Sequence, residues 1–414
     1  MSRKVHPETM NKVSKIQNSM DPPPRVAFSK PKTPKKNPMK RGRSLIGPLP
    51  VCNFGPKASM VEYVRKQYEI DPYDQKLKWS RPPENVLVIK KIDSGVNKNF
   101  KALVSWLVIE QQLSVYVEEK VLHNVHLKSD SNFAPVHKKL LTSFRPEEID
   151  LIICLGGDGT LLYAASLFQQ SMPPVIAFSS GSLGFLTSHK FENYRERILK
   201  VLAGNTILML RSRLHCEVQR AKKPIENSIS ENGDQSLDLN ANTSQNQNPD
   251  HCLYLVLNEA VVDRGSSHYL CNIDLYLEGR RITSVQGDGL IISTPTGSTA
   301  YAVAAGASMV HPNVPSIMVT PICPHSLSFR PIILPPGAEL KFTVSANARG
   351  TASVCFDGRQ TVTIAKGDYV TVRTSVHPAP CVCNENPFDD WFNSLSECLH
   401  WNSRQEQKEL HEEE

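Results

Sequence analysis

Asp150-Leu-Ile-Ile-Cys-Leu155 runs straight into Gly156-Gly-Asp-Gly-Thr160. An apolar run this short, bounded by glycines, reads as a strand buried on both faces. A helical pattern over 160–170 follows. The glycine segment is therefore a strand-to-helix turn at the carboxyl end of a strand, where open α/β sheets bind ligands. Gly156, Gly157 and Gly159 let a polyphosphate approach the backbone. Successive N–H groups and the coming helix N-terminus favour anions. An acid in such a loop repels phosphate. Asp158 instead suits a base beside a hydroxyl, or a partner of a bridging Mg²⁺. Its plain structural alternative is a helix N-cap.

Outward from this stretch the pattern repeats. Apolar runs at 85–91, 114–118 and 174–178 alternate with an amphipathic stretch at 97–112 and a mixed helical stretch after 118. Strands alternating with helices predict βαβ units and a parallel, doubly wound sheet over residues 81–204. From 205 to 385 the segments 207–219, 252–263, 269–278, 281–286, 290–294, 315–321, 339–345, 352–356 and 368–375 read as strands with few helical patterns between them. They predict a β-rich, sandwich-like second domain. Residues 221–250 are rich in Asn, Gln and Ser and read as a disordered loop between two strands. Residues 386–414 are expected to pack back on the first domain and end in an acidic tail.

The charge is divided unevenly. The 414 residues carry a formal +6, but residues 1–50 hold twelve Lys/Arg against two Asp/Glu, a net of +10, which leaves −4 for the rest. A mildly acidic body argues against a nucleic-acid partner. Residues 1–80 read as a disordered basic arm. Within it Arg41 and Arg43 precede Ser44, a spacing that suits a basophilic protein kinase. No apolar run approaches the roughly 18–20 residues of a membrane span, and MSRKVHPETM has no apolar core of a secretory signal. The ten cysteines therefore read as reduced thiols in the cytosol. His377, Cys381 and Cys383 lack a second pair at finger spacing, so no structural zinc is expected.

Further segments carry chemistry. Gly287-Asp-Gly-Leu-Ile-Ile-Ser-Thr-Pro-Thr-Gly-Ser-Thr-Ala-Tyr301 joins a strand to a run of hydroxyls, which suits a sugar–phosphate ligand, with Tyr301 able to stack on a base. A Ser/Thr-rich turn is its structural alternative. No Gly-Lys-Ser/Thr of a Walker A loop and no protein-kinase HRD or DFG is present. Asn258 and Glu259 interrupt a strand-like run where such residues are disfavoured. Sugar hydroxyls or a carboxamide would explain them, as would a bulge. Asp357-Gly-Arg359 reads as a hairpin turn.

Taken in order, GGDGT, then GSLGFL at 181–186, then Asn258-Glu259, then GDGLIISTPTGSTAY, the chain resembles the NAD kinases over about residues 80–405. The basic arm and the FGPKA stretch at 54–58 resemble the longer animal cytosolic form. The resemblance implies a Rossmann-like α/β domain followed by a β-rich domain, with the site between them. It implies transfer of the γ-phosphate of MgATP to the 2′-hydroxyl of the adenosine ribose of NAD⁺, with Asp158 as general base. By the same carry-over the glycine backbone and Thr160 orient phosphates. Asn258, Glu259, Asp288, Thr299, Ala300 and Tyr301 contact the dinucleotide. Members are commonly homodimers or homotetramers. One departure is Ser179-Ser180-Gly181, where many members carry Asn-x-Gly. Diacylglycerol and sphingosine kinases carry similar GGDGT loops, and a non-catalytic dinucleotide sensor would keep the same fold.

Overall fold

The computed structural model describes residues 53–62, 74–179, 181, 184–221, 251–384 and 386–403. Ser44, Ser180, most of the 221–250 insertion and the acidic tail lie outside them.

Four strands form the parallel heart of the first sheet, in the spatial order Ser114–Val117, Asn85–Lys90, Leu151–Leu155, Val175–Ser179. Leu151–Leu155 and Val175–Ser179 are buried at every residue. One face of the sheet packs Val86, Val88, Ile153 and Phe178 against Phe100, Leu103 and Leu107 of the helix Asn97–Ile109, and against Ile198 and Val201 of the helix Tyr194–Leu202. The other face packs Leu87, Ile89, Ile152 and Cys154 against Leu161, Ala164 and Ala165 of the helix Asp158–Ser166. The helices that follow Asn85–Lys90 and Leu151–Leu155 thus lie on opposite faces. That reversal opens a crevice between the carboxyl ends of Asn85–Lys90 and Leu151–Leu155.

The second half is a sandwich of two six-stranded antiparallel sheets. Leu214–Gln219, Cys271–Leu277 and Leu340–Val344 alternate buried and half-buried residues, the pattern of strands with one face inward. Their inner residues meet Val262, Leu290, Ile292, Val319 and Val354 of the opposing sheet in one core. Gly289–Ser293 is buried on both sides, because Ile291 packs outward against Ala302, Val310 and Met318.

The expected fold class is the one observed. The structure departs from the expected boundaries in four places. Residues 58–62 and 74–79 are strands rather than part of a disordered arm, and Asp74–Trp79 pairs with Ile207–Arg211. The run 207–219 is two strands in two different sheets, broken at Ser212-Arg213, and 252–263 is broken likewise at Leu257-Asn258. Ala379–Val382 leaves the sandwich and joins the first sheet beside Ile207–Arg211. The helix Pro387–Leu399 touches both halves. Ser394 Oγ donates to the Gly184 carbonyl, while Phe388 and Trp391 pack on the ring of His311.

Candidate active site

The Gly156–Gly159 turn sits at the carboxyl edge of that crevice. Gly156 adopts φ 152°, and a Cβ there would stand 2.3 Å from Thr160 Oγ1. The N-cap of the following helix is Gly157, so Asp158 is its first residue and its side chain does not cap it. The carboxylate reaches instead to a second loop. Oδ2 accepts from Phe185 N at 2.9 Å, and Oδ1 accepts from Leu186 N at 3.0 Å and Thr187 Oγ1 at 3.1 Å. Gly184 makes that approach possible, since a Cβ there would lie 2.1 Å from Asp158 Oδ1.

Across the crevice the chain breaks between its two sheets at Leu257-Asn258. Three successive N–H groups there donate to one carboxylate: Leu257 N to Asp357 Oδ2 at 2.7 Å, and Asn258 N and Glu259 N to Asp357 Oδ1 at 2.8 and 3.1 Å. Burial raises the Asp357 carboxyl above its usual range although these donors pull it back. Burial, reinforced by the Asp357 charge, pushes Glu259 up to about 8. Among the described residues Asn258 Oδ1 and Glu259 Oε2 are buried without a hydrogen-bond partner, a state that is rare in native folds.

The hydroxyl-rich segment packs directly on this break. Thr294 Oγ1 donates to the Leu257 carbonyl at 2.6 Å and Thr294 N to the Asn258 carbonyl at 2.9 Å. Gly297 lies so close to Asn258 that a Cβ would stand 2.3 Å from its carbonyl oxygen. Thr299 and Ala300 end this turn half-buried, and Tyr301 is 45% exposed at the start of the next helix.

Asp158, Asn258, Glu259 and the Thr294–Tyr301 segment thus flank one region. Asp288 does not join them. It pairs with Arg264 at 3.1 Å beside the Asp263–Gly289 end of the sheet, about 14 Å along the strands from the Glu259–Ser293 end. Ser179, in place of the family's Asn, turns its hydroxyl to the His189 carbonyl at 3.4 Å. Two residues tie the loops together that sequence reading passed over. Arg211, buried at the edge of the first sheet, donates to the Phe185 carbonyl at 3.2 Å and Thr296 Oγ1 at 3.4 Å. Arg359, at the tip of the Asp357-Gly358 turn, donates to the Gly159 carbonyl. The available signal was charge: a buried arginine in an apolar strand, and a cation on a turn that needs none. Among the described residues no three His, Cys, Asp or Glu side chains are gathered as a metal site, and Cys381 and Cys383 are buried.

Comparison with known proteins agrees with this arrangement. A family model described as the ATP-NAD kinase N-terminal domain matches residues 86–206, and one described as the ATP-NAD kinase C-terminal domain matches 257–383. NAD kinase 2, chloroplastic, of Arabidopsis thaliana is 43% identical over 342 residues, which are 81% of this chain and 32% of that protein. The NAD(+) kinase of Saccharomyces cerevisiae is 38% identical over 336 residues, 78% of this chain and 61% of that protein. An uncharacterized kinase of Schizosaccharomyces pombe is 37% identical over 318 residues, 77% of this chain and 79% of that protein. The chain spans about a third of the length of the chloroplastic relatives it matches. A yeast NADH kinase complexed with NADH superposes with a TM-score of 0.71 at 27% identity, covering 86% of this chain and 97% of that one. An NAD kinase from Archaeoglobus fulgidus in complex with ATP shares the fold, with a TM-score of 0.53 at 22% identity over 76% of this chain and 99% of that one. With family models matching both halves of the chain and a relative 37% identical over most of its own length, the chain belongs to the ATP-NAD kinase family.

Proposed function

We propose that this chain is an NAD kinase of the longer, animal cytosolic type, which transfers the γ-phosphoryl group of MgATP to the 2′-hydroxyl of the adenosine ribose of NAD⁺, giving NADP⁺ and ADP. The observation that carries the reading is the pairing of a positioned carboxylate with unsatisfied buried groups across one crevice. Asp158 is fixed by three donors at the strand end, and Asn258 Oδ1 and Glu259 Oε2 have no partner among the described residues.

In dinucleotide-binding folds a carboxylate holds the ribose hydroxyl by a hydrogen bond. Here the same geometry serves proton removal. Asp158 accepts the 2′-hydroxyl proton as the oxygen attacks phosphorus, and the Gly156–Gly159 backbone and Thr160 orient the phosphates. The buried Glu259, held protonated near neutral pH by its raised pKa, offers a donor as well as an acceptor to the dinucleotide, and Asn258 offers an amide. Thr299, Ala300 and Tyr301 line the dinucleotide's far side. Mg²⁺ arriving with ATP would neutralise charge on the donor phosphates, and the Gly156–Gly159 backbone would orient them.

We further assign to the protein a homodimeric or homotetrameric state, as the resemblance to the family implies. None of the nine described cysteines is joined in a disulfide, in keeping with a cytosolic setting. Ser44, a kinase target by its neighbours, is retained as a regulatory site.

The test is mass spectrometry of the dinucleotide after incubation with MgATP, with NAD⁺ and NADH compared and polyphosphate as a second donor. A gain of one phosphate on the adenosine ribose supports the reading. Binding of NAD⁺ without any phosphorylation would leave a sensor.

A further inference from the structure

A nucleoside triphosphate carries several negative charges, which a lysine of the loop meets in P-loop phosphotransferases. The Gly156–Thr160 loop contains no cation. Two cations from other elements flank it. Lys91 follows the neighbouring strand, and its Cβ would lie 3.1 Å from a Cβ on Gly156. Its side chain is 59% exposed and meets Asp93 only at 3.5 Å.

Arg359 meets the loop at Gly159, three residues after Gly156. It comes from the sandwich, on a turn in which both Asp357 (φ 48°) and Gly358 (φ 65°) are left-handed. Asp357 fastens the root of that turn to residues 257–259. The guanidinium donates to the Gly159 carbonyl and lies 5.0 Å from the centroid of the Tyr163 ring. Tyr163 is itself fixed, since its hydroxyl donates to Glu118 Oε1 at 2.5 Å, and Lys120 lies 2.7 Å from the same oxygen. A guanidinium has five N–H donors in a planar fork that matches phosphate. Among the described residues Arg359 hydrogen-bonds only to Gly159, so most of the fork is available on an exposed face.

We propose that Arg359 and Lys91 bind the β- and γ-phosphates of the phosphoryl donor at the Gly159 and Gly156 ends of the GGDG loop. Because Arg359 belongs to the sandwich and the loop to the parallel sheet, the donor's phosphates then join the two halves of the molecule. Arg359 reaches the donor, while Glu118 and Tyr163 act through it as positioning residues. This inference rests on the phosphotransfer reading given above.

The test separates donor from acceptor. Steady-state rates are measured for the full chain and for R359A, R359K and K91A, varying MgATP at saturating NAD⁺ and then the reverse. Calorimetry of a non-hydrolysable ATP analogue is run alongside. Loss of one charge-assisted hydrogen bond predicts a rise of about 10–100-fold in KM for MgATP with R359A, and an equal weakening of analogue binding. KM for NAD⁺ should move by less than about twofold. R359K should fall between the two, and free guanidinium should restore part of the R359A rate and none of the K91A rate. Equal shifts in both KM values, or no change in analogue affinity, would overturn the proposal. If the full chain phosphorylates no dinucleotide, the activity reading fails. Analogue binding to the full chain and R359A then still decides whether the anion site exists.

Discussion

Asp158 owes its position to a neighbour that has no side chain. A methyl group at Gly184 would occupy the space of the Asp158 carboxylate, so Gly184→Ala should displace it. The expected outcome is at least a tenfold loss of kcat with an unchanged far-UV spectrum, and full activity in that variant would break the link between the two loops. Glu259 makes a prediction in pH. Its folded value of about 8 lies above its ordinary 4.5. Between those values the folded chain keeps a proton that the unfolded chain has lost. Stability should therefore fall as pH rises from about 4.5 to about 8, by at most about 5 kcal/mol. Glu259→Gln imitates the protonated acid and should be stable relative to the parent at pH 8.5 but not at pH 5. Denaturation midpoints at the two pH values check this, and parallel profiles would count against it. Asp158, Asn258 and Glu259 were legible because polar residues beside glycines or inside strands break a local rule. Asp357 and Arg359 were not, because a hairpin turn fully accounts for Asp-Gly-Arg until the rest of the fold shows what the turn touches.

The elements that sequence reading found most readily are those whose every residue is buried, such as Leu151–Leu155 and Val175–Ser179. Ile332–Leu334 and Gln360–Ile364 were missed because, as edge strands, they lie mostly exposed and carry little hydrophobic alternation. The breaks at 212–213 and 257–258 were hidden because apolar residues continue on both sides while the strand changes sheets. Arg213 marks the first break. It is fully buried, and burial pushes it down to about 10. Its guanidinium donates to the carbonyls of Phe168 at 2.6 Å, Gln170 at 2.5 Å and His377 at 2.7 Å. It thereby ties the end of the helix Asp158–Ser166 to both segments that cross between the halves. Arg213→Met leaves three carbonyls without partners and should cost at least about 3 kcal/mol. A chemical denaturation curve within 1 kcal/mol of the parent would contradict that role.

At the scale of the molecule, residues 53–62 and 74–80 are part of the fold. Lys57 reaches the fully buried Asp150 at 3.2 Å, and Asp150 Oδ2 also accepts from Glu84 N at 2.8 Å and Asn85 N at 2.9 Å. Removing residues 1–52 should leave the melting temperature within a few degrees of the full chain. Removing residues 1–80 strips three strands and the partner of a buried carboxylate, and should lower it sharply or abolish soluble expression. The two-half plan was legible because its hydrophobic periods differ between the halves. The role of Ala58–Glu62 and Asp74–Trp79 was not, since Asp74–Trp79 pairs with Ile207–Arg211 far along the chain and Ala58–Glu62 pairs with Asp74–Trp79. The central claim is that these halves place one carboxylate against a ribose hydroxyl. The most direct measurement is NADP⁺ formation from NAD⁺ and MgATP, read through an NADP-specific dehydrogenase, for the full chain and Asp158→Asn. The account predicts turnover by the parent, a loss of about 10²–10⁴-fold in kcat for the variant, and nearly unchanged NAD⁺ affinity. Equal turnover by both proteins would contradict it.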